Sequence, residues 1–361
     1  MKRREQSYLN AALGLTILGL GGCLSIYNAQ ALGENPLHYS LRQLLWLTIG
    51  IAVFLLLSRI PFRLCKAWAV RLGGVAAAGL LLVLLFGTKI NGMHGWFSFG
   101  RVLIQPSEFA KAPFLLLLSV FAARTEWTER KRFLAIAGTG TLFCGLILPE
   151  PDFGTATVFF LGLATVLCIS GFFRHFLLLF CGIAIPTAVL FILNHDYAMK
   201  RIVGYWNPDG HLYGAGWHIK QFQYSMAHGG LFGSEWGGAL WSNAYLPLSH
   251  SDSVFASIVE SGGITGGLLI ISGYLFMGWI FRRMSLQAAD PAARIFIFST
   301  GAMFTAQALL HIGVNTALLP PTGLTLPIFS YGGSSLFATM TAFGMACSAA
   351  RNESGTETRK H

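Results

Sequence analysis

Charge is scarce in this 361-residue chain: Asp, Glu, Lys and Arg make up 11% of it, against about 25% in an ordinary soluble domain. Hydrophobic residues reach 54%. Several nearly uncharged runs approach the ~20 apolar residues that cross a bilayer, and a soluble core cannot bury that many. The scarcity therefore excludes a soluble protein and implies a multi-pass membrane protein. The cysteines at 23, 65, 144, 168, 181 and 347 are dispersed and lie mostly within apolar runs. This spacing shows neither a disulfide framework nor a CxxC metal site. There is no fixed-period repeat, low-complexity tract, P-loop or nucleophile elbow. Energy from cytosolic nucleotide is accordingly not indicated.

What is present is a basic excess, with a formal charge of +10. In a membrane protein the placement of charge matters more than its sum. The hydropathy pattern predicts ten spans at about 8–28, 42–58, 68–88, 106–122, 133–149, 154–171, 174–193, 253–281, 294–318 and 330–350. With "MKRR" placed inside, every Lys and Arg falls in cytoplasmic segments except Arg42, Lys89, Arg101, Lys111, Lys200, Arg201 and Lys220. An even number of spans with both termini cytoplasmic satisfies the positive-inside rule. The excess is thus topological, and nucleic acid is not an expected partner. Residues 1–23 also resemble a signal peptide ending in "LGGC". Cleavage there would leave nine spans and undo the asymmetry, so the first span is expected to be retained.

The expected fold is an all-α integral membrane protein, one polytopic domain over 1–361 with a short cytoplasmic tail, 351–361. Its longest connection is extracytoplasmic, about 194–252, between the seventh and eighth spans. A loop that long is usually functional or disordered. Trp206, Trp217, Trp236, Trp241, Tyr205, Tyr213, Tyr224 and Tyr245 argue for order. Segment 217–228 reads as a short helix lying along the membrane interface.

Ionisable groups inside spans are costly, and each is a functional candidate. "QPSEFAK" (105–111) opens the fourth span, with Pro106 suited to a first helical turn. Glu108 and Lys111 form an i,i+3 pair, either a buried lock between helices or part of a site. "PEPDFGT" (149–155) carries Glu150 and Asp152, the latter also a natural N-cap. "YLPLSHSDSVFASIVESGG" (245–263) places Asp252 at the outer end of the eighth span. Glu260 would lie about 12 Å deeper along the helix. Asp252 could be another cap, but Glu260 is too deep for that and needs a partner or a water-filled cavity. "PPTGLTLPIFSYGGSS" (320–335) re-enters the membrane with Ser330 and Tyr331 near exposed backbone. The topology puts all four clusters on the outer side. Together they predict a polar cavity lined by Glu108, Lys111, Asp152, Asp252, Glu260 and Arg201.

These motifs, with "GWHIKQ" (216–221, containing Gln221) and "HGGLFG" (228–233), resemble the SEDS family (shape, elongation, division and sporulation) over about 91–345. The "GLTLP" wording is closer to the division branch. The resemblance implies a ten-helix peptidoglycan glycosyltransferase of the bacterial cytoplasmic membrane, serving cell division or elongation. Such enzymes polymerise lipid II on the extracytoplasmic side, usually beside a class B penicillin-binding protein. It makes Asp252 the essential aspartate, Glu108 and Lys111 the fourth-span pair, Asp152 the turn aspartate, and Glu260 the first of two adjacent glutamates. Departures are Gly95 for an arginine, Leu248 for a glutamate, Ser253 for a phenylalanine, Ser261 for the second glutamate, Glu235 for a glycine and His311 for an asparagine. Gly95 weakens the diphosphate-binding side most, and Arg101 or Lys89 are the expected substitutes.

An inverting transfer needs a base at the attacking hydroxyl and positive charge at the departing diphosphate. Asp252 is the expected base, with Lys111 and Arg201 as the diphosphate charges and Glu108 orienting Lys111. A divalent cation (magnesium or manganese) is compatible with this chemistry, although no dedicated metal site is visible. Membrane lipids would surround the chain. Two other classes fit the same composition. A lipid II flippase would need charges on both membrane faces. A scaffold for the penicillin-binding protein would tolerate the departures at Gly95, Leu248 and Ser261.

Overall fold

Apolar runs become helices in a membrane because hydrocarbon offers no partner for a free backbone N–H or C=O. The computed structural model describes residues 2–90, 93–100, 102–211 and 214–351. Arg101, Tyr213 and the tail beyond 351 lie outside the described residues. The first half comprises α1 (Lys2–Ala29), α2 (Leu37–Leu57) and α3 (Phe62–Phe86), then strands β1 (Thr88–Ile90), β2 (Met93–Phe99) and β3 (Val102–Ile104). α4 (Pro106–Ala122), α5 (Glu129–Ile147), α6 (Phe153–Ile169) and α7 (Phe173–Asn194) follow, the last passing through a π turn at Phe180–Ala184. Three shorter helices come next: α8 (Asp196–Trp206), α9 (Ala215–Gly229) and α10 (Leu240–Ala244). The chain then forms α11 (Val254–Gln287), α12 (Pro291–Asn315) and α13 (Gly333–Arg351).

α1, α2, α3, α7, α11 and α12 are long and apolar enough to cross a membrane, and the chain is a helical membrane protein. The other four predicted spans coincide with α4 and α6, of 17 residues, and α5 and α13, of 19. α12 is central, packing against α4, α6, α11 and α13. Phe114 (α4), Phe143 (α5) and Phe159 (α6) fill the core beside it, with ring centroids 4.8 to 6.0 Å apart.

The all-α expectation needs one correction. Residues 88–104 form an antiparallel ribbon, β1–β2–β3, pairing Thr88 with Trp96 and Phe97 with Ile104. Gly100, with φ +63°, supplies the left-handed residue that a tight hairpin requires. The alternation in "MHGWFSF" is short and only half apolar, so it does not stand out among spans.

The 194–252 connection is largely helical, and the helix expected at 217–228 is α9. α11 is not one continuous rod: Gly263 has φ +67° and breaks it. At that break the 229–234 segment docks through its backbone and the Ser234 hydroxyl, which donates to Glu260 O at 3.0 Å. Ile264 N–H donates to Gly230 O at 3.0 Å and Ser234 N–H to Glu260 O at 2.9 Å. A Cβ on Gly229, Gly233 or Gly263 would collide with a carbonyl of the facing segment.

Candidate active site

A cavity of about 630 Å3 opens where one end of α2, the ribbon and the N-termini of α4 and α6 meet the 248–252 turn and the 323–335 segment. Three acids line it: Glu108, Asp152 and Asp252.

Asp252 sits in the turn before α11, not within the helix, and its backbone is held from several sides. Leu248 adopts a left-handed φ of +46°. Its carbonyl accepts from Ser251 N–H at 2.9 Å and Ser253 N–H at 3.3 Å. Asn315 Nδ2 donates to Asp252 O at 2.9 Å, while Asn315 Oδ1 accepts from Ala256 N–H at 3.0 Å. From the re-entrant segment, Ser330 Oγ donates to Ser251 O at 2.7 Å and Tyr331 N–H to His250 O at 2.9 Å. The Asp252 carboxyl faces Gly323, where a Cβ would stand 3.7 Å from Oδ2. Burial pushes this carboxyl up to about 7; the Ser251 hydroxyl and the Arg201 charge oppose the rise, and Asp152 adds to it.

Asp152 is both an N-cap and a wall of the cavity. Its Oδ1 accepts from Thr155 N–H at 2.9 Å and its Oδ2 from Gln105 Nε2 at 3.1 Å. Burial raises its pKa despite these bonds. Glu150, two residues earlier, is fully buried, and neither of its carboxylate oxygens has a hydrogen-bond partner among the described residues. Burial and the neighbouring Asp152 push it up to about 8. It occupies the space beside Gly95, where a Cβ would lie 3.0 Å from Glu150 Oε2.

The Glu108–Lys111 pair forms, at 2.7 Å. Lys111 Nζ also donates to Gln307 Oε1 at 2.9 Å, and Gln307 passes the chain on to Thr325 O at 3.0 Å. Lys111 therefore lies behind Glu108, in a narrow crevice among α4, α12 and α13, and does not line the cavity. Glu108 Oε2 has no partner and is buried.

Among the other candidate residues only Tyr331 lines the cavity. Arg201 donates to Pro321 O at 2.9 Å and acts on Asp252 through its charge, from outside the lining. Gln221 is buried in α9 with Oε1 unpaired. Ser330 is a staple, accepting from Leu326 N–H as well as holding Ser251.

Glu260 belongs to a separate buried network. It accepts from Trp241 N–H at 2.8 Å and Ser242 N–H at 2.7 Å at the start of α10, from the Ser242 hydroxyl, and faces His228 Nδ1 at 3.0 Å. A carboxylate is favoured at a helix start, which gives the deep acid the partner its position demanded. Beside it, Ser261 Oγ accepts from Asn28 Nδ2 at 2.6 Å.

Several site residues had no clear signal in the sequence. Tyr39, Arg42 and Trp46 of α2 line the cavity, as do Trp96 and Gln105. Gln43, behind them, donates to Ile328 O at 3.2 Å and Ser330 O at 3.0 Å. A buried polar residue within an apolar span was the available clue, and the same holds for Asn315. Lys89 is exposed on β1 and outside the lining. His311 Nδ1 donates to Leu324 O at 2.7 Å. Among the described residues, no three His, Cys, Asp or Glu come together as metal ligands.

The family described as cell cycle protein (FtsW, RodA, SpoVE) matches residues 6–355. The chain is 33% identical to the probable peptidoglycan glycosyltransferase FtsW of Thioalkalivibrio sulfidiphilus, over 92% of this chain and 86% of that one. It is 30% identical to the stage V sporulation protein E of Bacillus subtilis, over 97% and 98%. Among solved structures, a chain of a peptidoglycan synthase complex superposes with a TM-score of 0.81 at 27% identity, covering 95% and 97%. The rod shape determining protein RodA of Thermus thermophilus gives 0.72 at 26%, covering 95% and 96%. The chain belongs to the FtsW/RodA/SpoVE family.

Proposed function

We propose that this chain is a peptidoglycan glycosyltransferase that polymerises lipid II at the extracytoplasmic face of the bacterial cytoplasmic membrane. The observation carrying this reading is Asp252: a carboxyl pinned through its backbone, facing a cavity, with its pKa raised to about 7. A base is most effective when its pKa lies near working pH. The 4-hydroxyl of an acceptor N-acetylglucosamine attacks C1 of the donor N-acetylmuramic acid, and Asp252 takes the hydroxyl proton. The C1–O bond to undecaprenyl diphosphate breaks, with inversion. Asp152 and Glu108 belong to the wall of the same cavity.

In this reading the chain is one domain with ten spans, both termini cytoplasmic and the α8–α10 connection outside. The distribution of Lys and Arg supports that orientation. Likeness to a chain of a peptidoglycan synthase complex supports a class B penicillin-binding protein as partner, in division or elongation. The test is gel-based polymerisation of lipid II by the purified protein, with and without that partner and divalent cations. Wild type is expected to make glycan strands and Asp252→Asn none, with both variants equally folded. Wild-type rates from Asp252→Asn would sink the assignment of the base.

A further inference from the structure

We propose that Arg42, in the second turn of α2, is the cation that binds the diphosphate of the polyprenyl-linked donor. The polymerase reading supplies the identity of the ligand; the location rests on the cavity itself.

Glu108, Asp152 and Asp252 line the cavity, and Arg42 is the one Lys or Arg among its described lining residues. A diphosphate brought beside three acids needs a counter-charge, because an unpaired charge at a partly desolvated site is strongly disfavoured. The other nearby cations are engaged elsewhere. Lys111 is held by Glu108 and Gln307 in a different crevice, and Arg201 donates to Pro321 O outside the lining. Arg42 makes no ion pair among the described residues. It is also one of the few basic residues that the charge distribution leaves on the outer side, where topology gives it no role.

The neighbours of Arg42 on α2 place it against the site. Tyr39, Arg42, Gln43 and Trp46 share one helix face at i, i+3, i+4 and i+7. The Tyr39 ring stacks on His250 at 4.2 Å, two residues from Asp252. Gln43 is bonded to the 328–330 carbonyls, and Trp46 packs against Gly333 at the start of α13. Arg42 therefore stands between the turn of the base and the 332–335 wall, in the cavity that would hold both C1 and the leaving diphosphate. A guanidinium presents paired N–H donors that match two phosphate oxygens.

An exposed arginine at a helix end could instead reach a lipid headgroup phosphate, and the test separates the two sources. Binding of undecaprenyl diphosphate and undecaprenyl phosphate is measured on the full-length protein in nanodiscs of neutral phosphatidylcholine, alongside lipid II polymerisation. Wild type should prefer the diphosphate. Arg42→Gln should weaken diphosphate binding roughly ten- to hundredfold and erase the preference, and Arg42→Lys should keep part of it. An unchanged preference in a folded Arg42→Gln protein overturns the proposal. So does a loss that appears only when anionic lipid is added to the discs. Binding through Arg42 without any polymerisation by wild type would refute the polymerase reading and leave the Arg42 site standing.

Discussion

Burial and the negative charge of Asp152 raise the Asp252 carboxyl toward 7, while the Ser251 hydroxyl and Arg201 pull it back. Only the ionised form accepts a proton, so polymerisation should rise with pH through about 7 and level off above it. Removing the Arg201 charge disfavours the carboxylate and raises its pKa further. Arg201→Gln should therefore move the acidic limb of the pH–rate profile to higher pH, measured as initial rates on lipid II; a limb that stays put would detach Arg201 from the base. Glu150 offers a second titration. Its folded carboxyl keeps a proton up to about 8, whereas its ordinary value is 4.5. Between these values the folded state holds a proton the unfolded state has lost, so stability falls as pH rises. Glu150→Gln removes that slope. Its melting temperature should exceed wild type at pH 8 and match it near pH 4; an equal gain at both would point to packing instead.

At the scale of elements, Glu260 ties α11 to α10. Its carboxylate takes two backbone N–H groups of a helix start, and truncation would leave those donors buried without partners. Each such orphan costs roughly 1–3 kcal/mol. Glu260→Ala should lower the melting temperature and speed proteolysis between α9 and α10, with little change in the affinity for donor diphosphate. Intact protease resistance would show that the glycine contacts alone hold the segment. These elements also show what the sequence could and could not display. Helix positions followed from apolar runs, and Glu108, Asp152 and Asp252 were legible because acids at span ends are conspicuous. The partners of Glu260 were not, since they are backbone and side-chain groups of α9 and α10, brought together by a connection whose folding no local pattern encodes. Lys111 was placed on the wrong side of Glu108 for a related reason. An i,i+3 spacing says that two side chains meet, not which of them faces the cavity.

For the whole molecule, the proposed orientation is open to a direct check. Asn207→Cys, between α8 and α9, should react with an impermeant maleimide added to intact cells, and Glu126→Cys, between α4 and α5, only after lysis. Labelling of both from one side would overturn the ten-span topology. The α2 wall was the least legible part of the site. Tyr39, Arg42 and Gln43 look like ordinary polar residues at a span end until the distant 328–335 segment is folded against them.

The interlock at Gly263 also has a consequence in time. The donors that receive Glu260, from Ser225 through His228 and Trp241 to Ser242, all precede it along the chain. During synthesis from the N-terminus, they have emerged before the acid itself appears. The one acid of α11 thus has every partner already synthesised when it appears, so its network can close before the second half of the helix is made.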